Sequence, residues 1–202
     1  VPGPDVRRPD AAERMLRPQP DGAPDHVVRI VRGERPAVAR QRRRHQLLQR
    51  DEIGSRPGQG PGRAGRSLAT ALGRAGWTVA PLVGRGQATA DALVDVDLLV
   101  IATPDSAIAE VAASVVPDRR AVIAHMSGSL GLDVLAGHDR TAGIHPLVAL
   151  PSPEVGAERL ARGCWFAVAG DPLAQRVVGN LDAHAFEVAD YDRAEYHAAA
   201  VD

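Results

Sequence analysis

The run Gly60-Pro61-Gly62-Arg63-Ala64-Gly65 spaces its glycines as G-x-G-x-x-G. That spacing suits the binding of a diphosphate. The first glycine permits a tight turn. The second, lacking Cβ, lets phosphate oxygens reach the backbone, and the third lets the next helix pack closely on a sheet. The helix then points free N–H groups and its positive dipole end at the phosphates. Gly60, Gly62, Arg63, Ala64 and Gly65 are therefore the expected cofactor contacts. The competing reading is a glycine-rich linker, in a chain that holds 20 glycines. About twenty residues past such a turn, an acid reads the ribose 2′-OH of NAD, and an arginine accommodates the 2′-phosphate of NADP. This chain has Gly84-Arg85-Gly86 there, with no acid between the glycines and Asp91. Arg85 thus predicts NADP, with NAD as the alternative; its other reading is a solvated turn residue.

Three further segments carry groups able to do chemistry. Thr103-Pro104-Asp105 follows an apolar run, and Thr103 and Pro104 are expected beside the nicotinamide; the plain alternative is a helix start. His125-Met126-Ser127-Gly128-Ser129 offers hydroxyls and backbone N–H groups to a substrate, with Ser127 as the first candidate. Either serine could instead cap a helix. In His145-Pro146 a histidine beside a rigid residue can take or give a proton during a redox step. A lone histidine can equally be structural, and His184 and His197 have no such context. Cys164 is the single cysteine. It has no disulfide partner and no zinc-ligand spacing around it, so no metal is expected.

Alternating elements must position these groups. Arg63–Ala75 places Leu68, Ala71 and Leu72 at helical spacing. Trp77–Val83 reads as a strand weakened by Pro81, and Ala88–Val94 as a short helix or turn. Asp97–Ala102 and Arg120–His125 are continuous apolar runs, as in buried parallel strands, with a helix over Pro104–Val116 between them. This alternation implies an α/β fold, a doubly wound parallel sheet with helices on both faces. Farther on come a strand and loop over Ala142–Leu150, a strand at Trp165–Ala169, a helix at Pro172–Leu181, a strand at Phe186–Ala189 and a helix at Arg193–Ala200. The reading divides the chain into an N-terminal segment 1–58, a dinucleotide-binding domain 59–138, and the start of a second, substrate or dimerisation domain over 139–202. The last helix stops without a partner, which suggests truncation.

One part of the pattern is missing. The glycine turn should directly follow an apolar strand. Residues 51–59, Asp-Glu-Ile-Gly-Ser-Arg-Pro-Gly-Gln, cannot be one. Either Val27–Val31 supplies the strand across a long loop, or the strand is absent. The chain contains no lysine, and residues 1–58 hold 13 arginines against 8 acidic residues while the rest holds 11 against 17. The basic, proline-rich start reads as disordered. A nucleic-acid arm would interleave aromatic residues with the arginines, and none do so; an upstream frameshift would account for both the composition and the missing strand. The net charge of −1 favours neither nucleic-acid nor membrane partners. No apolar run is long enough for a membrane span and no signal-peptide pattern is present, so a cytoplasmic location is expected.

Taken together, residues 60–200 resemble the NAD(P)-dependent oxidoreductases that join a Rossmann-like domain to a C-terminal domain of unknown function. The segments carrying the resemblance are Gly60–Leu68, Ala102-Thr103-Pro104-Asp105, His125–Gly131, Gly143-Ile144-His145-Pro146-Leu147 and Tyr196-His197-Ala198-Ala199-Ala200. The family is more distantly similar to pyrroline-5-carboxylate reductase, 6-phosphogluconate dehydrogenase-type and prephenate dehydrogenases. The resemblance implies hydride transfer between NADP(H) and a small carbonyl, imine or hydroxy-acid substrate, a role for His145 in that transfer, and a homodimer in full-length relatives. The alternatives are a non-catalytic dinucleotide sensor and an inactive truncated product.

Overall fold

The computed structural model describes residues 27–31, 62–84, 86–193 and 195. Gly60, Arg85, most of segment 1–58 and nearly all of the expected helix over 193–200 lie outside the described residues. Among the described residues, seven strands form one sheet in the order β2-β1-β3-β4-β5-β6-β7. They are β1 (Val27–Val31), β2 (Thr78–Val79), β3 (Leu98–Ile101), β4 (Val122–His125), β5 (Thr141–Pro146), β6 (Trp165–Gly170) and β7 (His184–Glu187). Among the described residues, four α-helices connect them: α1 (Arg63–Arg74), α2 (Asp105–Ser114), α3 (Pro153–Leu160) and α4 (Leu173–Asn180). Single 3₁₀ turns occupy Leu132–Leu135 and Asp190–Asp192.

The two faces of the sheet hold two apolar layers. Val28 and Ile30 of β1, Leu98 and Val100 of β3, and Val122 and Ala124 of β4 pack beneath Leu68, Ala71 and Leu72 of α1, Ala157 and Leu160 of α3, and Val177 and Val178 of α4. On the other face, Val27, Leu99, Ile101 and Ile123 meet Ile108 and Ala112 of α2, together with Leu135. Strands β3 and β4 are buried at every position, as their unbroken apolar runs require.

Three features depart from the sequence reading. The sheet is mixed rather than parallel: β3, β4 and β5 run parallel, but β6 is antiparallel to β5. The sheet also continues past residue 138, because β5, β6 and β7 extend it without a break. The third departure concerns the missing strand. Val27–Val31 does fill the slot between β2 and β3, but it runs antiparallel to both. The slot demands a short run that is apolar on both faces, and Val27, Val28 and Ile30 meet that demand at 2% exposure or less. An antiparallel ladder satisfies the backbone groups of β3 as fully as a parallel one. Helix α3 was not anticipated from the sequence. Ser152 caps it by accepting a hydrogen bond from the Val155 N–H, and Pro153 opens its first turn.

Candidate active site

Strands β2, β3, β4 and β5 share one direction, so the segments that follow them emerge along one edge of the sheet. In open α/β sheets this carboxyl edge is where ligands bind. Helix α1 ends three residues before β2 begins, which brings its amino end to the same edge. Gly62 is its N-cap, with extended ψ of 156°, no side-chain cap and no acid in the first turn. The first-turn N–H groups are thus left for a ligand or water. Gly65 is buried, Arg63 is exposed, and Ala64 is half-buried at this end of the helix.

Against α2 lies a cavity of about 210 Å³ lined by Val27, Val83, Gly84, Thr103, Glu110 and Val111, among others. Reciprocal bonds of 3.1 Å between the backbones of Val27 and Val83 hold one wall. The Thr89 and Ser114 hydroxyls, 2.5 Å apart, tie together two other lining residues. Thr103 therefore belongs to this cavity. Pro104 is the N-cap of α2.

Farther along the edge, the turn after β4 is built around Ser127. Its Oγ accepts from the N–H of Ser129 at 3.2 Å and of Leu130 at 3.1 Å, and donates to Asp105 Oδ2 at 2.8 Å. One donor and two acceptor sites are all that a hydroxyl has. Ser127, 6% exposed, is thereby committed to the turn. Ser129 is more open, and its hydroxyl donates to the same Asp105 oxygen at 2.8 Å. Asp105 sits in the first turn of α2, where the helix dipole favours its charge.

Strand β5 reaches beyond β4: Gly143 pairs with His125, so His145 stands two residues farther toward the edge. The His145 Nδ1–H donates to the Met126 carbonyl at 3.1 Å, which fixes the ring beside the Ser127 turn. His125, by contrast, is fully buried, and neither ring nitrogen has a hydrogen-bond partner of good geometry among the described residues. Its pKa falls to about 4, chiefly through burial and then through the Arg193 charge. The Gly131 backbone and the carboxylates of Asp105 and Asp190 oppose that shift and do not overcome it. Arg193 is itself buried and donates to the carbonyls of Leu130 at 2.8 Å and Ser127 at 2.7 Å.

The sequence candidates Thr103, Pro104, Ser127 and His145 thus share one edge with Gly62, Arg63, Ala64 and Gly65. Sequence reasoning assigned no role to Glu110, Asp190 or Arg193. Asp105 carries a local signal, an acid in the first turn after Thr103-Pro104. Arg193 carries none, since it meets the Ser127 turn across more than 60 residues of chain.

No protein-family model matches the chain, and no curated protein sequence matches it. Among solved structures, one from Bacteroides fragilis assigned as an NADP oxidoreductase superposes with a TM-score of 0.53 at 17% identity, over 68% of this chain and 61% of that one. The fold is Rossmann-like. A Thermotoga maritima protein is 24% identical over 50% of this chain and 41% of its own, with a TM-score of 0.42. Prephenate dehydrogenase from Aquifex aeolicus gives 16% identity and 0.46, over 66% and 59%. The Rossmann-like chain therefore spans about two fifths to three fifths of the length of these proteins. Among the described residues, no helix is long and apolar enough to cross a membrane, and no group of three potential ligands could hold a metal ion.

Proposed function

We propose that this chain is the dinucleotide-binding part of an oxidoreductase that uses NADP(H), with NAD(H) as the alternative, and acts on a small carbonyl, imine or hydroxy acid. One observation carries the reading. The uncapped amino end of α1, Thr103 in the lining of the cavity, and the pair formed by the Ser127 turn and His145 all lie along one carboxyl edge. The fit to a dinucleotide is chemical as well as spatial. First-turn N–H groups without an acid nearby suit a diphosphate. A half-apolar cavity of about 210 Å³ suits a planar base and its ribose. Arg85, two residues past Val83, is the candidate partner for a 2′-phosphate.

When bound, the nicotinamide supplies or accepts the hydride. The protein's part is orientation and proton handling. With Nδ1–H held by the Met126 carbonyl, the His145 ring is fixed in orientation for proton exchange with a substrate. Ser127 and Asp105 keep the turn in shape, and Ser129 presents the more accessible hydroxyl of the pair.

Calorimetric titration with NADPH and NADH tests this assignment. Saturable binding is expected, lost in Gly62→Val, where a branched side chain would meet the phosphates. Arg85→Ala should weaken NADPH more than NADH. A flat titration with both nucleotides would sink the reading. Oxidation of NADPH with a panel of 2-oxo acids and cyclic imines then searches for the substrate.

A further inference from the structure

We infer that Arg193, seconded by Asp190, is a positioning residue: a clasp from beyond β7 that shapes the Ser127–Leu132 turn on which the site depends. The inference rests on the proposed function only for what the turn serves, and on contacts alone for the clasp itself. Arg193 is 1% exposed, an unusual place for a guanidinium. Its Nε donates to the Leu130 carbonyl and its terminal nitrogen to the Ser127 carbonyl, so one planar fork grips both ends of a four-residue turn. Three residues earlier, Asp190 Oδ1 accepts from the Leu132 N–H at 2.8 Å and grips the next stretch of the same segment.

The sheet makes room for this grip. A Cβ on Gly143 would stand 2.9–3.1 Å from three atoms of the guanidinium and nothing closer, so the bare face of β5 there is the seat on which the fork lies. The consequences converge on the site. With its carbonyls turned inward toward Arg193, the turn directs the Ser129 and Leu130 N–H groups onto Ser127 Oγ, and the Ser127 hydroxyl onto Asp105. The Met126 carbonyl that holds His145 is the next one back along the chain. The arginine also bears on His125, which lies beneath the turn among Arg193, Asp105 and Asp190.

Three variants of the whole chain test the clasp. Arg193→Met removes the fork and the charge. Arg193→Lys keeps the charge without the planar fork. Gly143→Ala leaves Arg193 intact and crowds its seat, and because the obstacle is the far end of a flexible side chain the sheet should tolerate it. In Arg193→Met and Gly143→Ala, amide exchange at Ser129, Leu130 and Leu132 should quicken at least about tenfold while β3 and β4 stay protected. The His125 ring, followed by NMR, should titrate at higher pH in Arg193→Met and stay low in Arg193→Lys, a contrast that separates the lost charge from loosened burial, which would raise the ring in both. NADPH affinity should fall several-fold in the first and third variants. Unchanged exchange at those three amides in both variants would overturn the clasp, as would equal acceleration throughout the sheet. If the parent chain binds no NADPH, the proposed function fails, and the exchange and ring titration still decide the clasp.

Discussion

His125 and His145 stand two rungs apart on neighbouring strands and are expected to respond to opposite tests. The folded protein holds His125 neutral down to about pH 4, whereas in the unfolded chain it takes its proton near 6.5. Above pH 6.5 neither state is protonated and the ring contributes nothing to pH dependence. As pH falls from 6.5 toward 4 the unfolded state binds the extra proton, so stability declines, by an amount on the order of 3 kcal/mol across the window. Below 4 that decline levels off. The melting temperature of the parent chain should therefore drop between pH 7 and 4.5, and His125→Leu should lose most of that slope; a parallel drop in both would show that other groups dominate. His145, half-buried at the end of β5 with its Nδ1–H on the Met126 carbonyl, is the opposite case. His145→Gln should leave melting nearly unchanged and reduce turnover by about 10²-fold, as loss of a proton-transfer group does. Steady-state rates with the substrate found by NADPH oxidation check this, and an unaltered kcat would assign His145 a structural role.

Among the elements, α1 and α3 pack against each other, and their contact depends on one missing methyl group. A Cβ on Gly156 would fall 2.1 Å from Ser67 Oγ and 2.7 Å from Ser67 Cβ. Gly156→Ala should thus force the helices apart and cost about 1–3 kcal/mol. Combining it with Ser67→Gly should return part of that loss, measured as a coupling in denaturant unfolding. Additive effects would argue that the helices separate freely. This contact also marks where sequence reasoning ran out. Helix α1, strands β3 and β4, and helix α2 announce themselves through local periodicity and unbroken apolar runs. The glycine turn, Thr103 and Ser127 stand out because each adjoins such an element, and His145 because a proline follows it. Helix α3 is only eight residues long, with Gly156 inside it, so its periodicity is faint. Ser67 is wholly buried because a distant glycine comes to meet it. Arg193 and Asp190 escaped for the same reason: their partners are remote in the chain, and composition does not encode a meeting of that kind.

At the scale of the molecule, the direction of β1 is the feature with the widest reach. In a sheet threaded by crossovers, each strand is tied to its neighbours through a helix on one face. Strand β1 runs against both neighbours, and it alone bridges β2 on one side and β3 to β7 on the other. Removing residues 1–31 should expose the flanks of β2 and β3 together with the apolar trench under Val28 and Ile30. Such open edges invite association. The shortened chain is expected to aggregate or to elute as oligomers in size-exclusion chromatography, and a well-behaved monomer would count against an essential role for the strand. The slot itself discriminates little: it asks for a few extended residues, apolar on both sides, with a free backbone ladder. A synthetic peptide with that character, or the same stretch of a second molecule, should compete for it. The vacancy in the shortened chain would then act as a receptor for β-strands, with a loan from outside completing what the polypeptide no longer carries.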